Sequence, residues 1–241
     1  MKPAGVLRLA AIVLALAAFA ALVVSGPGYR FGWWSFRAGI WLVQWAGYVG
    51  AAAVLVTLAA LAWPKARGGW SGTLAATLLI AAAVVGVTLA WGLRAKSVPA
   101  IHDLSTDTDN PPAFVAVVPL RKGAENPLEY GGAALAAKQR QAYPDIKPLV
   151  LTLPPEAALA RARIVAQEMG WEVVATDLAA GRVEATDTTP WFGFKDDIVV
   201  RITPAGAGSR VDVRSVSRVG RSDLGTNARR IRAYLERLRN S

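Results

Sequence analysis

Hydrophobic positions fall along this chain in two regimes. Over residues 6–24, 39–63 and 72–93 they are nearly continuous. A helix rises about 1.5 Å per residue, so about 20 apolar residues cross a hydrocarbon core of about 30 Å. Each run therefore predicts a transmembrane helix. None contains an acid, and the one charge inside them, Arg8, lies close enough to an end to snorkel. Trp33, Trp34, Trp41, Trp63, Trp70 and Trp91 mark the ends, where an aromatic belt meets the headgroups. The first run has the basic start of a signal peptide, but no small-x-small site ends it, so an uncleaved helix is expected. Gln44, Thr57, Thr77 and Thr88 are the interior polar groups, and a helix can satisfy them locally. Transport machines place ionisable groups in mid-bilayer, so this region reads as an anchor or packing element.

The second regime starts at residue 149. Residues 149–153 form a short strand. Pro154 and Pro155 suit a helix start, and Glu156 suits its positive end. Leu159, Ala162, Ala166 and Met169 repeat at helical spacing until Gly170 ends the run. Alternating strands are expected over 171–176, 182–188, 197–203 and 210–219. A last helix spans 223–239, with Ser222 or Asp223 as its cap and Leu224, Ala228, Ile231, Leu235 and Leu238 as its buried stripe. The order β-α-β-β-β-β-α predicts an α+β fold, an antiparallel sheet with two helices on one face, preceded by the three-helix transmembrane region. Between the two regimes, residues 97–148 are rich in Pro, Gly, Asp and Asn. Pro111, Pro112, Pro127 and Pro148 argue against long regular elements there. Apolar anchors such as Ile101, Leu104, Phe114, Val117 and Leu128 predict a segment packed on the domain. The expected division is 1–96, 97–148 and 149–241.

Charge refines this picture. The chain carries +10, but residues 1–96 hold eight basic residues and no acid, which leaves 19 basic against 17 acidic residues in the remainder, a net +2. The excess thus belongs to the membrane region. Lys2, Arg8, Lys65 and Arg67 fall on one side of it, and Arg30, Arg37, Arg94 and Lys96 on the other. The α-amine and the dominance of the first helix tip this tie toward an inside N-terminus. The expected location is a cell inner membrane, multi-pass, with a periplasmic C-terminal domain. The chain has no cysteine, which such a compartment allows.

Strand alternation places Val183, Ile198, Val200, Val211 and Val213 on one face. Glu184, Arg201, Asp212, Arg214 and Arg218 fall on the other. One reading is a solvated sheet face, common in antiparallel sheets. The other is an anion or ligand surface around Arg201, Arg214 and Arg218, because guanidinium forks suit carboxylate and phosphate. The run "HDLSTDTDN" offers Asp103 and Asp107. It lacks the Gly and terminal Glu of a calcium loop, and His102 is the one histidine, so turn and capping roles precede a metal site. In "TTPWFGFKDD", Trp191, Phe192 and Phe194 read either as a bend packed on the core or as an aromatic lip for an apolar ligand or lipid. No cofactor-binding motif, nucleophile elbow or nucleic-acid motif is present, and no nucleic-acid partner is expected.

The stretches "IHDLSTDTDNPPAF", "AYPDIKPL", "GWEVVATD", "RVEATDTTPWFGFKDDIVVRI" and "SRVDVRSVSRVGRSDLGTNARRIRAYL" resemble the bacterial and plastid family called domain of unknown function 1499. The likeness covers about residues 100–239, and the three preceding helices look like the membrane-attached bacterial branch. The resemblance implies that the connector belongs to the domain. It implies no activity, substrate or catalytic residue. The functional expectation is a membrane-anchored, extracytoplasmic module that binds a ligand or partner or supports the cell envelope. Its candidate partners are the bilayer, envelope proteins, lipid and cell-wall ligands. The alternative is a membrane-anchored enzyme in which Asp103 or Asp107 meets Arg214 and Arg218 across the sheet.

Overall fold

A computed structural model describes residues 2–240. It divides into two compact units, one of residues up to Lys96 with Pro190–Gly193, the other of Ser97–Thr189 with the residues from Phe194 onward.

The first unit is helical. α1 (Pro3–Arg30), α2 (Phe36–Ala62) and α4 (Ser71–Ser97) are each long and apolar enough to cross a membrane, and the short α3 (Pro64–Arg67) precedes α4. All three long helices outrun their apolar runs at both ends or nearly so, because helical hydrogen bonding continues into the flanks where hydropathy has fallen. Small residues form the seams. Ala11, Ala15 and Ala18 of α1 are buried, as are Ala46, Gly50 and Ala53 of α2. A Cβ on Gly47 would stand 2.9 Å from Thr88 Oγ1, so this contact needs glycine. The interior threonines bond within their own helices: Thr57, Thr77 and Thr88 donate to the carbonyls of Ala53, Thr73 and Val84. In this unit Trp191 lies 5.1 Å, ring to ring, from Trp91.

The second unit is α+β. Its antiparallel sheet runs β3 (Glu172–Asp177), β4 (Arg182–Thr188), β5 (Lys195–Ala205), β6 (Gly208–Ser217). The outer edge of β6 is shared by two short strands: β1 (Asp103–Ser105) pairs with Arg214–Val216, and β2 (Leu149–Leu151) pairs with Ser209–Val211. α6 (Pro155–Glu168) and α7 (Thr226–Asn240) cover one face. There Leu159, Ala162, Ile231 and Leu238 bury Val183, Ile198, Val200, Val211 and Val213. Trp171 stacks on Tyr234 at 4.9 Å, and the Tyr234 hydroxyl donates to the Ala162 carbonyl.

Three sequence expectations are corrected. The opposite sheet face is not solvated: Glu184, Asp197, Asp212 and Arg214 are all at most 3% exposed. Phe114, Val117 and Leu128 of the connector lie on it against Val199 and Val216. The connector also contains regular structure. Besides β1 and a 3-10 turn at Val118–Arg121, it holds α5 (Gly132–Ala142), which starts beyond the last proline of the 111–127 group. Finally, α7 begins at Thr226 rather than 223. Asp223 still caps it, with Oδ1 accepting from Gly225 N–H and Oδ2 from Asn227 N–H.

Candidate functional site

The arginine face is a set of charge-assisted clusters along β5 and β6. Strand alternation aims Arg201, Asp212, Arg214 and Asp197 to the same side, and the connector supplies their partners. Arg214 grips Asp103 with a two-pronged contact, Nε to Oδ1 at 2.9 Å and Nη2 to Oδ2 at 2.8 Å. Its Nη2 also donates to the Leu128 carbonyl at 2.6 Å. The guanidinium lies over the ring of Phe114 (5.3 Å) and over that of Tyr130 (5.4 Å). Burial, and then the nearby Asp103 charge, push the Tyr130 phenol up to about 12.

One strand step away along the face, Asp107 Oδ2 accepts from Arg201 (3.1 Å) and Arg210 (2.9 Å), and Asp212 accepts from both as well. The hydrogen bond to Asp212 holds the Arg210 guanidinium above its ordinary value, against the opposing effect of burial. Asp107 also closes its own turn, with Oδ1 accepting from the N–H groups of Asp109 and Asn110.

At the other end of the face, Asp197 receives Arg218 Nε at 3.0 Å, Arg218 Nη2 at 2.8 Å, the Thr186 hydroxyl at 2.8 Å, and Arg121. In the middle, Glu184 accepts from the backbone N–H groups of Val115, Ala116 and Val117 at 3.0–3.1 Å. A carboxylate thus holds the connector backbone directly. Under the helices, α7 contributes a further knot. Arg230 meets Asp187 (2.7 Å) and Asp196 (2.6 Å), while Asn227 joins Ser215, Ser217 and the His102 carbonyl. Burial alone would lower the Arg230 guanidinium, but Asp196 and Asp187 outweigh it and hold it above its ordinary value. Burial pushes the Asp223 carboxyl up, although the Asn227 and Gly225 N–H groups oppose this.

The candidate residues therefore separate. Asp103 and Arg214 form one cluster, Asp107 and Arg201 a second, and Arg218 a third with Asp197 rather than with a connector acid. Phe194 belongs to the α+β unit, where its N–H donates to Thr189 Oγ1 at 2.9 Å and its carbonyl accepts from Thr189 N–H. Trp191 belongs to the helical unit, against Trp91. Sequence reasoning passed over Asp197, Asp212, Glu184 and Arg121 as partners. The signal for the acids was present: they occupy the same alternation as the arginines. Arg121, in a Pro-rich connector with no period, carried none. Tyr130 Oη and Arg201 Nε are buried without a hydrogen-bond partner among the described residues.

The clustered segment, from Asp103 through the sheet to the end of α7, coincides with a known family. Residues 103–238 match the family described as Protein of unknown function (DUF1499). The chain belongs to this family. The match begins at Asp103, the partner of Arg214, and ends at Leu238, the last buried residue of α7. The DUF1499 region thus takes in the connector with its clusters and leaves out the three apolar helices. No curated protein matches the chain.

Proposed function

We propose that the chain is a membrane-anchored, extracytoplasmic binding or envelope-support module of the cell inner membrane. Its ligands or partners would be lipid, cell-wall fragments or envelope proteins. The observation that carries this reading is the use made of the charged face. Arg201, Arg214 and Arg218 each bond carboxylates and carbonyls of their own chain, and so fasten the connector onto the sheet. That produces a braced α+β platform joined to three apolar helices, which suits presentation of a surface.

The experiment is a single Ala207→Cys variant. Ala207 is exposed in the β5–β6 turn, and the chain has no other cysteine. Labelling by a membrane-impermeant maleimide in intact cells is expected. Labelling only after lysis would overturn the extracytoplasmic assignment.

The second reading, an enzyme using connector acids and sheet arginines, is favoured by one observation. Among the described residues the Tyr130 hydroxyl is buried without a hydrogen-bond partner, near the Asp103–Arg214 pair. Tyr130→Phe separates the readings. A module keeps its binding and its melting temperature, whereas an enzyme using that hydroxyl loses turnover at unchanged stability.

A further inference from the structure

Three exposed basic residues and two exposed aliphatic ones meet at one end of the α+β sheet. Val118 and Leu120 are 51% and 50% exposed on the 3-10 turn Val118–Arg121. The turn is held by its backbone rather than by these side chains. The Leu120 carbonyl accepts from Arg218 Nη1 at 2.8 Å, and the Arg218 carbonyl accepts from the N–H groups of Glu125 and Asn126. The Arg218 N–H donates to the Lys195 carbonyl, and Asn126 Nδ2 donates to the Gly220 carbonyl. These bonds bring Lys122, Lys195 and Arg221, all exposed, to the same end of the sheet as the aliphatic pair. Glu125 is the exposed acid on the same turn.

The chain also enters the unit at this end. The His102 carbonyl accepts from Ser217 N–H, and Asp103 pairs with Val216. The helix α4 ends at Ser97, five links before His102. Five extended residues span at most about 18 Å, so the link from an apolar helix long enough to cross a membrane to this edge strand is short. Aliphatic side chains together with cations are the chemistry of an interfacial contact. The apolar part enters the headgroup boundary, and each Lys or Arg gains from anionic lipid within a Debye length. Tethering raises the effective concentration of lipid at the patch, so a small patch suffices.

We propose that Val118 and Leu120, with Lys122, Lys195 and Arg221 at the same end of the sheet, form a second contact with the membrane, an interfacial dock for an anionic bilayer surface.

The test uses the full chain in nanodiscs. Leu120→Cys carries an environment-sensitive fluorophore, and Leu178→Cys, 74% exposed in the β3–β4 turn at the opposite end of the strands, is the control. The expected result in discs containing phosphatidylglycerol is blue-shifted emission at Leu120→Cys, quenched several-fold more strongly by doxyl lipid than at the control. Charge reversal at Lys122, Lys195 and Arg221 together, or purely zwitterionic discs, should reduce that quenching. A water-like spectrum matching the control overturns the dock. A shielded probe that doxyl lipid does not quench assigns the patch to protein and overturns it too. Quenching indifferent to lipid charge and to the reversals overturns the anionic assignment. Val118→Cys repeats the reading at a second position, and unchanged far-ultraviolet circular dichroism verifies that each variant folds.

Discussion

Arg214 is buried to 4% side-chain exposure and its partner Asp103 to 5%. Two such charges remain inside a protein only when their hydrogen bonds replace water. Here the two-pronged contact, the Leu128 carbonyl and two aromatic rings do so. Removing one partner strands the other. Asp103→Asn or Arg214→Ala should each cost about 3–5 kcal/mol, read as a lowered denaturant midpoint of the solubilised chain. The double replacement Asp103→Leu with Arg214→Met should recover much of that loss, and a double variant no better than the worse single one would contradict this account. Exposed pairs behave differently. Arg232 holds Asp145 at 2.5 Å, and their side chains are 45% and 53% exposed. The hydrogen bond from Arg232 holds the Asp145 carboxyl below its ordinary value of 3.8. A depressed folded value means the pair stabilises fully above 3.8 and is lost as pH falls through the lower folded value. Solvent screening limits the effect to less than about 1 kcal/mol. Asp145→Asn should therefore be slightly less stable than the parent near neutral pH. The two melting temperatures should converge as pH falls below the ordinary value of 3.8, and a constant gap there would show that Asp145 acts through its shape.

The connector is an element without a period, and carboxylates and amides hold it as a strand's neighbours hold a strand. Gln139 of α5 does this for β1: its Oε1 accepts from Ser105 N–H at 3.0 Å and its Nε2 donates to the Ser105 carbonyl at 2.6 Å. Glu184 does it for Val115–Val117. Glu184→Gln keeps the volume but turns a donor toward backbone donors. Amide exchange at Val115, Ala116 and Val117 should accelerate by at least tenfold, since each charge-assisted bond lost is worth about 1.5–3 kcal/mol. Amides in the β5–β6 ladder should change much less. Equal acceleration in both places would mean that the connector and sheet open together. These long-range fastenings explain what the sequence withheld. A period of two sorts Val183 from Glu184 and Val200 from Arg201 without further information, so the sheet faces were legible. The cover over the charged face was not, because Asp103 reaches Arg214 across 111 positions and no local pattern records such a pairing. Asp212 at 1% exposure reads in any local window as a surface residue. α5 was missed because its Gly131–Gly132 start looks like a loop, although the following Ala-rich turns are strong helix formers.

At the scale of the molecule, the two regimes of hydrophobic patterning give two compact units. In the α+β unit a buried cluster gathers Leu159, Val183, Ile198, Val200 and Ile231, and in the helical unit Ala15, Ala53 and Ala81 gather in another. Their solvents would differ as well, since the three long helices are apolar enough to cross a membrane. In lipid an unfolded helix would expose backbone groups that water cannot reach, so the apolar helices persist where urea dissolves a water-solvated core. The chain in nanodiscs should therefore lose its α+β unit in one cooperative urea transition while the helical signal of the 28-, 27- and 27-residue helices remains. The probe is built in. Of nine tryptophans, Trp171 alone belongs to the α+β unit, where it is 5% exposed and stacked on Tyr234. The fluorescence difference between the parent and a Trp171→Phe chain isolates it. Its transition should coincide with loss of strand signal and precede any loss of helix. A single midpoint for Trp171, strands and helices would instead mean that the membrane region depends on the folded domain, and the anchor and platform would have to be treated as one cooperative body.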